Sequence, residues 1–263
     1  MPRSFDSQAK GFDRRAGLAD DSVSSITNCI EKLTDELGDG TFLEVGAGTG
    51  QLGIALNKLR FPYIGFDNSA AMLDEFKQRN NGKSDLKLVT TDGNSQWPAE
   101  FGSVSVIFSS RALHLLDQKH VLNEVFRVAG TRGSLLLTGF VVRPDNSIRR
   151  RMRKQMRKIL RDSGFEGRSG KKQRQSLLDE CCAKGGELLE TTIAARWNVL
   201  CSPQQSLDSW AGKTGLAGCD ISGEIKTDIL RSLENWARQE FGDNLNKQFE
   251  YEENYVLEGV RLI

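Results

Sequence analysis

Three carboxylates, each near the end of a short apolar segment, are the residues best suited to bind a ligand. Glu44 lies in LEVGAGTG, Asp67 ends the segment YIGFD, and Asp92 ends LKLVTTD. Carboxylates accept hydrogen bonds from hydroxyl and amino groups, whereas a row of them repels a pyrophosphate. The three acids therefore favour a ligand that combines a positive charge with a ribose diol.

A glycine-rich turn, GAGTG, follows Glu44 and contains Gly46, Gly48 and Gly50. Glycine permits positive φ and close approach of the backbone to a ligand. A helix that we expect to begin at Gln51 would add free backbone N–H groups. The dinucleotide fingerprint GxGxxG requires its third glycine at position 51, so this spacing argues against NAD. Asp67 lies 21 residues after Gly46, a distance typical of a carboxylate that binds ribose hydroxyls.

Strand and helix patterns alternate from residue 41 to residue 140, and this alternation would bring the three acids together. The apolar runs predict strands at 41–45, 63–67, 86–92, 104–110 and 134–140. Ser69 is the predicted N-cap of the helix that follows the second strand. Such an order predicts an α/β fold with a doubly wound, mainly parallel sheet, in which the carboxyl ends of the strands face one crevice.

The pattern changes after residue 143, and three domains are predicted. They are a core at 1–142, an inserted cap or acceptor region at 143–215, and a C-terminal part at 216–263 that completes the core sheet. Within these, we expect a basic helix at 147–161, a glycine-rich loop at 163–175, helices at 176–184, 203–213 and 223–241, and strands at 187–200 and 254–263.

The basic helix carries Ile148, Met152, Met156 and Ile159 on one face and arginines and lysines elsewhere. Its apolar side could cover a lipophilic substrate, or its charges could bind nucleic acid. The interpretation that we favour is a solvated helix docked by its apolar side. Nucleic acid is not favoured as a partner, because no aromatic residues are interleaved for stacking on bases.

The composition excludes several classes of protein. The 263 residues carry a net charge of +1, contain no apolar run long enough for a membrane span and begin without a secretory h-region. Five cysteines at irregular spacing and two histidines fit no metal-ligating pattern. We therefore expect a cytoplasmic protein with reduced thiols and no metal. The oligomeric state is not indicated.

The segments LEVGAGTG, GFDNSAAML and VTTDGNSQWP resemble the cofactor motifs of class I S-adenosylmethionine-dependent methyltransferases, in the type 11 and ubiquinone/menaquinone-biosynthesis-like groups. The resemblance covers residues 1–140. It implies a Rossmann-like sheet of seven strands with an inserted cap, the last strand lying antiparallel beside the fifth. One departure is VSV at 104–106, where the family usually has an aspartate near the start of strand four.

The resemblance also implies roles for individual residues. The three glycines of the turn pack against the methionine moiety, Glu44 serves the amino group through water, Asp67 holds the ribose hydroxyls, and Asp92 with Gly93 flanks the adenine. We assign Ala47, Asn68 and Ser109 to the same cofactor site.

On the acceptor side, His114 follows strand four, where the family lines its methyl-transfer pocket. Its imidazole could act as a base or could only shape the pocket. Arg111 could bind an acidic acceptor, or it could form a salt bridge at the surface or with the carboxylate of the cofactor. Phe12, in an aromatic-acid pattern that in the family closes over the cofactor, and Met152 are further candidates for contact with the acceptor.

The sequence therefore predicts an enzyme that transfers a methyl group from S-adenosylmethionine to a small molecule, with an oxygen acceptor preferred over nitrogen or carbon because of His114. Two alternatives stay open. One is methylation of RNA or protein, and the other is a non-catalytic subunit that binds S-adenosylmethionine.

Overall fold

The computed structural model describes residues 18, 20–80, 86–130, 133–167, 170–213 and 215–263. These residues divide into two compact units. The first contains the described residues up to Phe140 together with Gly170–Ala195 and Tyr255–Ile263. The second contains the described residues of Val141–Ser169 and Arg196–Asn254.

Helices and strands alternate through the first half of the chain, as predicted. In chain order the elements are α1 (Asp20–Thr34), β1 (Thr41–Val45), α2 (Gly53–Leu56), β2 (Tyr63–Asp67), α3 (Ala70–Arg79), β3 (Lys87–Thr90), β4 (Val104–Ser110), a 3₁₀ turn (Leu113–Leu115), α4 (Gln118–Val128), β5 (Leu135–Val142), α5 (Ile148–Asp162), α6 (Gly170–Ala183), β6 (Glu187–Leu188), β7 (Thr192–Cys201), α7 (Pro203–Ala211), α8 (Gly223–Phe241) and β8 (Phe249–Arg261). The Ser69 hydroxyl caps α3 by accepting the Met72 N–H at 3.2 Å, as predicted.

The sheet has the strand order β3-β2-β1-β4-β5-β8-β6, and β7 also pairs with β8. Strands β1 to β5 pair in parallel, and β6 pairs antiparallel with β8. From β1 the chain winds outward to β3 and then crosses back to β4, which makes the carboxyl ends of β1 and β4 the switch point where ligands bind in such folds. The described residues form eight strands where seven were predicted, because the segment expected as one strand at 187–200 divides into β6 and β7.

Two predicted elements differ in the structure. Helix α2 has only four residues and begins at Gly53, not at Gln51, since glycine within it and Asn57 after it are poor helix formers. The predicted loop at 163–175 ends early, because α6 already begins at Gly170. Lysine, glutamine and arginine favour a helix there.

The observed units also differ from the predicted domain boundaries. Helix α6 belongs to the first unit, because Leu177 and Cys181 are buried in its hydrophobic core with the side chains of α4. Helix α8 belongs to the second unit, where it packs with the apolar face of α5. Of the predicted C-terminal part, only Tyr255–Ile263 therefore lies in the first unit.

A buried carboxylate fixes the segment that follows β3. Glu124 on α4 accepts the Trp97 backbone N–H at 2.7 Å and two bonds from the Arg127 guanidinium, at 2.8 and 2.6 Å. Arg127 also donates to the Trp97 and Ala99 carbonyls. Burial raises the pKa of Glu124, but the hydrogen bonds from Arg127 and Trp97 outweigh it and hold the pKa below its ordinary value.

Replacement of Glu124 by alanine should destabilise the protein by about 2–3 kcal/mol, because Arg127 and the Trp97 N–H lose a shared buried acceptor. Urea unfolding measures this change, with Glu31→Ala, an exposed site on α1, as the control. Equal stability of the two variants would show that the carboxylate does not hold this segment.

Candidate functional site

The glycine turn is a tight loop of left-handed residues at the end of β1. The φ angles of Gly46, Gly48 and Gly50 are 75°, 55° and 74°, values that residues with a side chain rarely adopt. The backbone N–H groups of Gly46 and Ala47 both donate to the Phe66 carbonyl, at 2.9 and 3.0 Å. The turn is thus anchored to β2.

The three glycines differ in what surrounds them. A Cβ at Gly46 would lie 2.3 Å from the Cβ of Ala112, and one at Gly50 would lie 2.1 Å from the Phe76 ring. A Cβ at Gly48 would meet nothing nearer than the Gly46 carbonyl oxygen, 4.0 Å away. Packing of the described residues therefore excludes a side chain at the first and third glycines, and leaves the backbone at Gly48 open to a ligand.

Asp67 joins the glycine turn to the end of β2. Its Oδ2 accepts the Gly48 N–H at 3.0 Å, and its Oδ1 accepts the Ser69 N–H at 3.0 Å. The side chain is half-buried, as is that of the neighbouring Asn68. Both oxygens of the carboxylate therefore take part in holding the backbone of the two turns.

Glu44 is buried, with 3% of its surface exposed, and its carboxyl accepts a hydrogen bond from the Tyr63 hydroxyl. Burial, with a smaller contribution from the charge of Asp67, raises the pKa of Glu44 to about 8, although the Tyr63 hydrogen bond acts in the opposite direction. Glu44 is thus mostly protonated at neutral pH in the absence of a cation.

Asp92 and Gly93 follow β3 in a fixed turn. Asp92 Oδ1 accepts the backbone N–H of Asn94 at 3.0 Å and its side-chain amide at 3.3 Å. The Gly93 carbonyl accepts the Trp97 indole N–H at 3.0 Å, and a Cβ at Gly93 would lie 2.7 Å from Leu116. The backbone here leaves no room for a larger residue unless Leu116 moves.

The segment from Arg111 to Leu116 lies against both the glycine turn and the turn after β3. Ala112 occupies the space beside Gly46, and Leu116 occupies the space beside Gly93. Arg111 has a φ of 67°, a strained value for a residue with a side chain and one that is common at functional sites. The 3₁₀ turn between these contacts carries His114, whose side chain is half-buried.

Two hydroxyl side chains at the end of β4 have defined roles within the protein. The buried Ser109 hydroxyl donates to the Val45 carbonyl at 2.9 Å, and the Ser110 hydroxyl accepts from the Tyr255 hydroxyl at 2.7 Å. Burial raises the pKa of Tyr255 further above its ordinary value, so the hydroxyl remains a donor.

Sequence reasoning missed Tyr63 and Tyr255, the two tyrosines that support Glu44 and the end of β4. No spacing pattern identifies them, because their partners are contributed by other strands of the sheet. Two residues were predicted to contact the acceptor. Met152 is fully buried in the hydrophobic core of the second unit, which explains its apolar type without a substrate, and Phe12 lies outside the described residues.

Comparison with known proteins identifies the domain that contains this site. Residues 42–133 match the family model of the methyltransferase domain, and this range holds the glycine turn, all three acids and His114. None of the curated proteins matches the chain. The match shows a methyltransferase domain at these residues, and the chain is an S-adenosylmethionine-dependent methyltransferase, as predicted.

Solved structures share the fold. A putative methyltransferase from Bacillus halodurans and the YcgJ protein from Bacillus subtilis are both 16% identical to this chain, with TM-scores of 0.56. The matches cover 89% and 90% of this chain and 97% of each of those proteins. A geranyl diphosphate methyltransferase in complex with GPP and sinefungin is 14% identical, with a TM-score of 0.50, and covers 91% of this chain and 78% of its own. At these identities the likeness establishes the Rossmann-like fold.

No helix in the part of the chain that the structure describes is long and apolar enough to cross a membrane. The five cysteines are all free thiols.

Substitution of Gly50 by alanine should destabilise the protein by about 2 kcal/mol or more, because the new Cβ combines a left-handed φ with a clash against Phe76. Gly38→Ala is the matched control, since a Cβ there meets nothing within 4 Å. Thermal unfolding of both variants measures the difference, and an unchanged Gly50→Ala protein would contradict the packing described for the turn.

Glu44 should make stability depend on pH. Its folded-state pKa of about 8 lies above the ordinary 4.5, so between these values the folded state holds a proton that the unfolded state lacks. The free energy of unfolding should then fall as pH rises, by on the order of 1 kcal/mol per pH unit. Glu44→Gln removes the titration and can still accept from Tyr63. Urea unfolding at about pH 5.5 and 7.5 should show that the wild type loses more unfolding free energy than this variant over that range. An equal change in the two proteins would show that Glu44 does not cause the pH dependence.

Proposed function

We propose that this methyltransferase acts on a small-molecule acceptor, with an oxygen as the favoured acceptor atom, and that His114 serves as the general base. The observation that carries the proposal is the position of the Arg111–Leu116 segment. It places His114 on a turn that is held at one end by Ala112 against Gly46 and at the other by Leu116 against Gly93.

We assign the cofactor contacts to the residues at the strand ends. Asp67, whose carboxylate lies beside the glycine turn, would accept the ribose hydroxyls, and the open face of Gly48 allows the backbone to approach the methionine moiety. Asp92 and Gly93 would flank the adenine. Ala47, Asn68 and Ser109 complete the predicted set, although the Ser109 hydroxyl already donates to Val45.

Glu44 would serve the cofactor's amino group. Its pKa is raised mainly by burial, and a cation nearby favours the ionised form of a carboxyl group. Binding of a positively charged amino group should therefore draw a proton off Glu44.

Bound S-adenosylmethionine supplies an electrophilic methyl group on a sulfonium. The role that we assign to His114 is to take the proton from the acceptor hydroxyl as that oxygen attacks, so that the product ether or ester forms without a charged intermediate. A neutral imidazole is available for this near physiological pH. Arg111, three residues earlier, would orient an acidic acceptor.

The pairing of basic residues supports a small acceptor over RNA. Arg150 pairs with Asp145 at 2.6 Å, and Arg174 pairs with Glu258 at 2.7 Å. Arg151 pairs with Glu240. These charges are neutralised within the protein, and ion pairs of this kind reduce the attraction for a phosphate backbone. Free thiols agree with the predicted cytoplasmic location.

A screen with methyl-labelled S-adenosylmethionine tests the acceptor class. Small-molecule extracts and, separately, total RNA and protein are incubated with the enzyme, and the labelled products are identified by mass spectrometry. Label in a small molecule supports the proposal, and label confined to RNA or protein refutes it.

His114→Ala should lower the rate of methyl transfer about 10²–10⁴-fold while the affinity for S-adenosylmethionine, measured by calorimetry, stays nearly unchanged. The wild-type rate should rise with pH as the imidazole loses its proton, and this rise should disappear in the variant. His120→Asn, at the second histidine of the chain, is the control. Near-normal turnover of His114→Asn would remove the base role and leave alignment of the acceptor as the source of the rate.

A further inference from the structure

One tyrosine side chain joins three neighbouring strands of the first unit. Ser110 at the end of β4 pairs with Gly139 on β5, and β8, which carries Tyr255, lies on the other side of β5. A Cβ at Gly139 would lie 1.9 Å from the Tyr255 hydroxyl oxygen and 2.5 Å from the ring carbon that bears it. The phenol therefore crosses β5 over the bare backbone of Gly139 and reaches Ser110.

Burial decides which of the two hydroxyls donates. The oxygens of Tyr255 and Ser110 are 2.7 Å apart. Tyr255 is fully buried, and no described residue other than Ser110 accepts a hydrogen bond from its hydroxyl. A hydroxyl hydrogen of Tyr255 that pointed away from Ser110 would therefore be buried without an acceptor, which is costly. Tyr255 donates, and Ser110 accepts.

The Ser110 hydroxyl keeps a hydrogen of its own. A serine hydroxyl has one donor and two acceptor positions, and the bond from Tyr255 uses an acceptor position. The neighbouring Ser109 donates its hydrogen to the Val45 carbonyl, whereas no described residue accepts the hydrogen of Ser110. Because Ser110 is only half-buried, a bound molecule can accept it.

The position and the polarity of Ser110 suit a donor to the substrate. Ser110 ends β4, at the switch point of the sheet and directly before the segment that carries His114. A hydroxyl that accepts a hydrogen bond is polarised and donates a stronger one. The Tyr255 ring, which lies over Gly139, also restrains the Ser110 side chain.

We propose that Ser110 donates a hydrogen bond to a carbonyl or carboxylate oxygen of the methyl acceptor, and that Tyr255 positions and polarises Ser110. The oxygen that Ser110 contacts is not the oxygen that attacks the methyl group, because a donor would withdraw electron density from the attacking atom. The acceptor is then a hydroxy acid or a hydroxy ketone, with a carbonyl group beside its hydroxyl. This role rests on the proposed methyl transfer to a small molecule.

Transfer of label from methyl-labelled S-adenosylmethionine to a small-molecule extract tests Ser110. In dilute extract the rate is proportional to kcat/KM for the acceptor, and in concentrated extract, where the rate no longer rises, it reports kcat. Ser110→Ala should lower the dilute rate about five- to tenfold and leave the saturated rate within about twofold, because a bond to a non-reacting oxygen stabilises substrate and transition state alike. Calorimetry should show unchanged affinity for S-adenosylmethionine.

Tyr255→Phe isolates the contribution of the tyrosine hydroxyl. It should lower the rate in dilute extract about threefold, with little change at saturation, because Ser110 remains but loses the donor that polarises it. In a Ser110→Ala background the same change should have no further effect. Two matched controls should leave the rates unchanged. They are Ser105→Ala, near the start of β4, and Tyr251→Phe on β8, whose hydroxyl has no hydrogen-bond partner among the described residues.

The labelled product tests the substrate class. Mass spectrometry should show a carbonyl or carboxyl group beside the new methyl ether, and a labelled product without such a group would overturn the proposal. Absence of transfer by the wild type would refute the proposed function and this role with it, whereas normal transfer by Ser110→Ala in dilute extract would overturn only the role of Ser110.

Three further results would contradict the proposal. Equal losses by Ser110→Ala in dilute and saturating extract would indicate a disturbed His114 turn. Additive losses in the double variant would show that Tyr255 does not act through Ser110. Weaker binding of S-adenosylmethionine by Ser110→Ala would assign the hydroxyl to the cofactor. Circular dichroism of each variant separates these effects from loss of fold.

Discussion

The geometry of the site depends on the carboxylate of Asp67, which ties two strand ends together. One oxygen holds the glycine turn through Gly48, and the other holds the turn that begins α3 through Ser69. A turn of three left-handed residues has no regular hydrogen-bond ladder of its own, so an external acceptor is needed to fix it. The same carboxylate therefore orders the backbone at the point where two strand ends meet.

The rest of the site is arranged by packing against this turn. Ala112 and Phe76 occupy the space that side chains at Gly46 and Gly50 would need, so a small residue after β4 and an aromatic residue on α3 are parts of one fitted surface. The strained φ of Arg111 is tolerated because the chain on both sides is held. Such a rigid first layer suits a reaction in which alignment of the reactants provides much of the rate.

The two units use charge in different ways. In the first unit, acidic groups lie at the strand ends. Burial raises the pKa of Glu44 there. In the second unit, arginines gather around Glu253 and exceed it in number. An enzyme whose net charge is only +1 thus contains local groups of charge of opposite sign in its two units.

The five parallel strands, the glycine turn and the position of Asp67 at the end of β2 could be predicted from the sequence, because they depend on local spacing and on hydrophobic period. The methyltransferase class was predicted from motifs that resemble those of a known family. The short α2, the packing of α6 in the core of the first unit and the burial of Met152 could not be predicted, since each depends on which apolar surface, distant in the sequence, is available in the folded chain. The hydrogen bonds from tyrosines to Glu44 and Ser110 also form only in the folded chain. Contacts between strands far apart in the chain leave no periodic signal in the sequence.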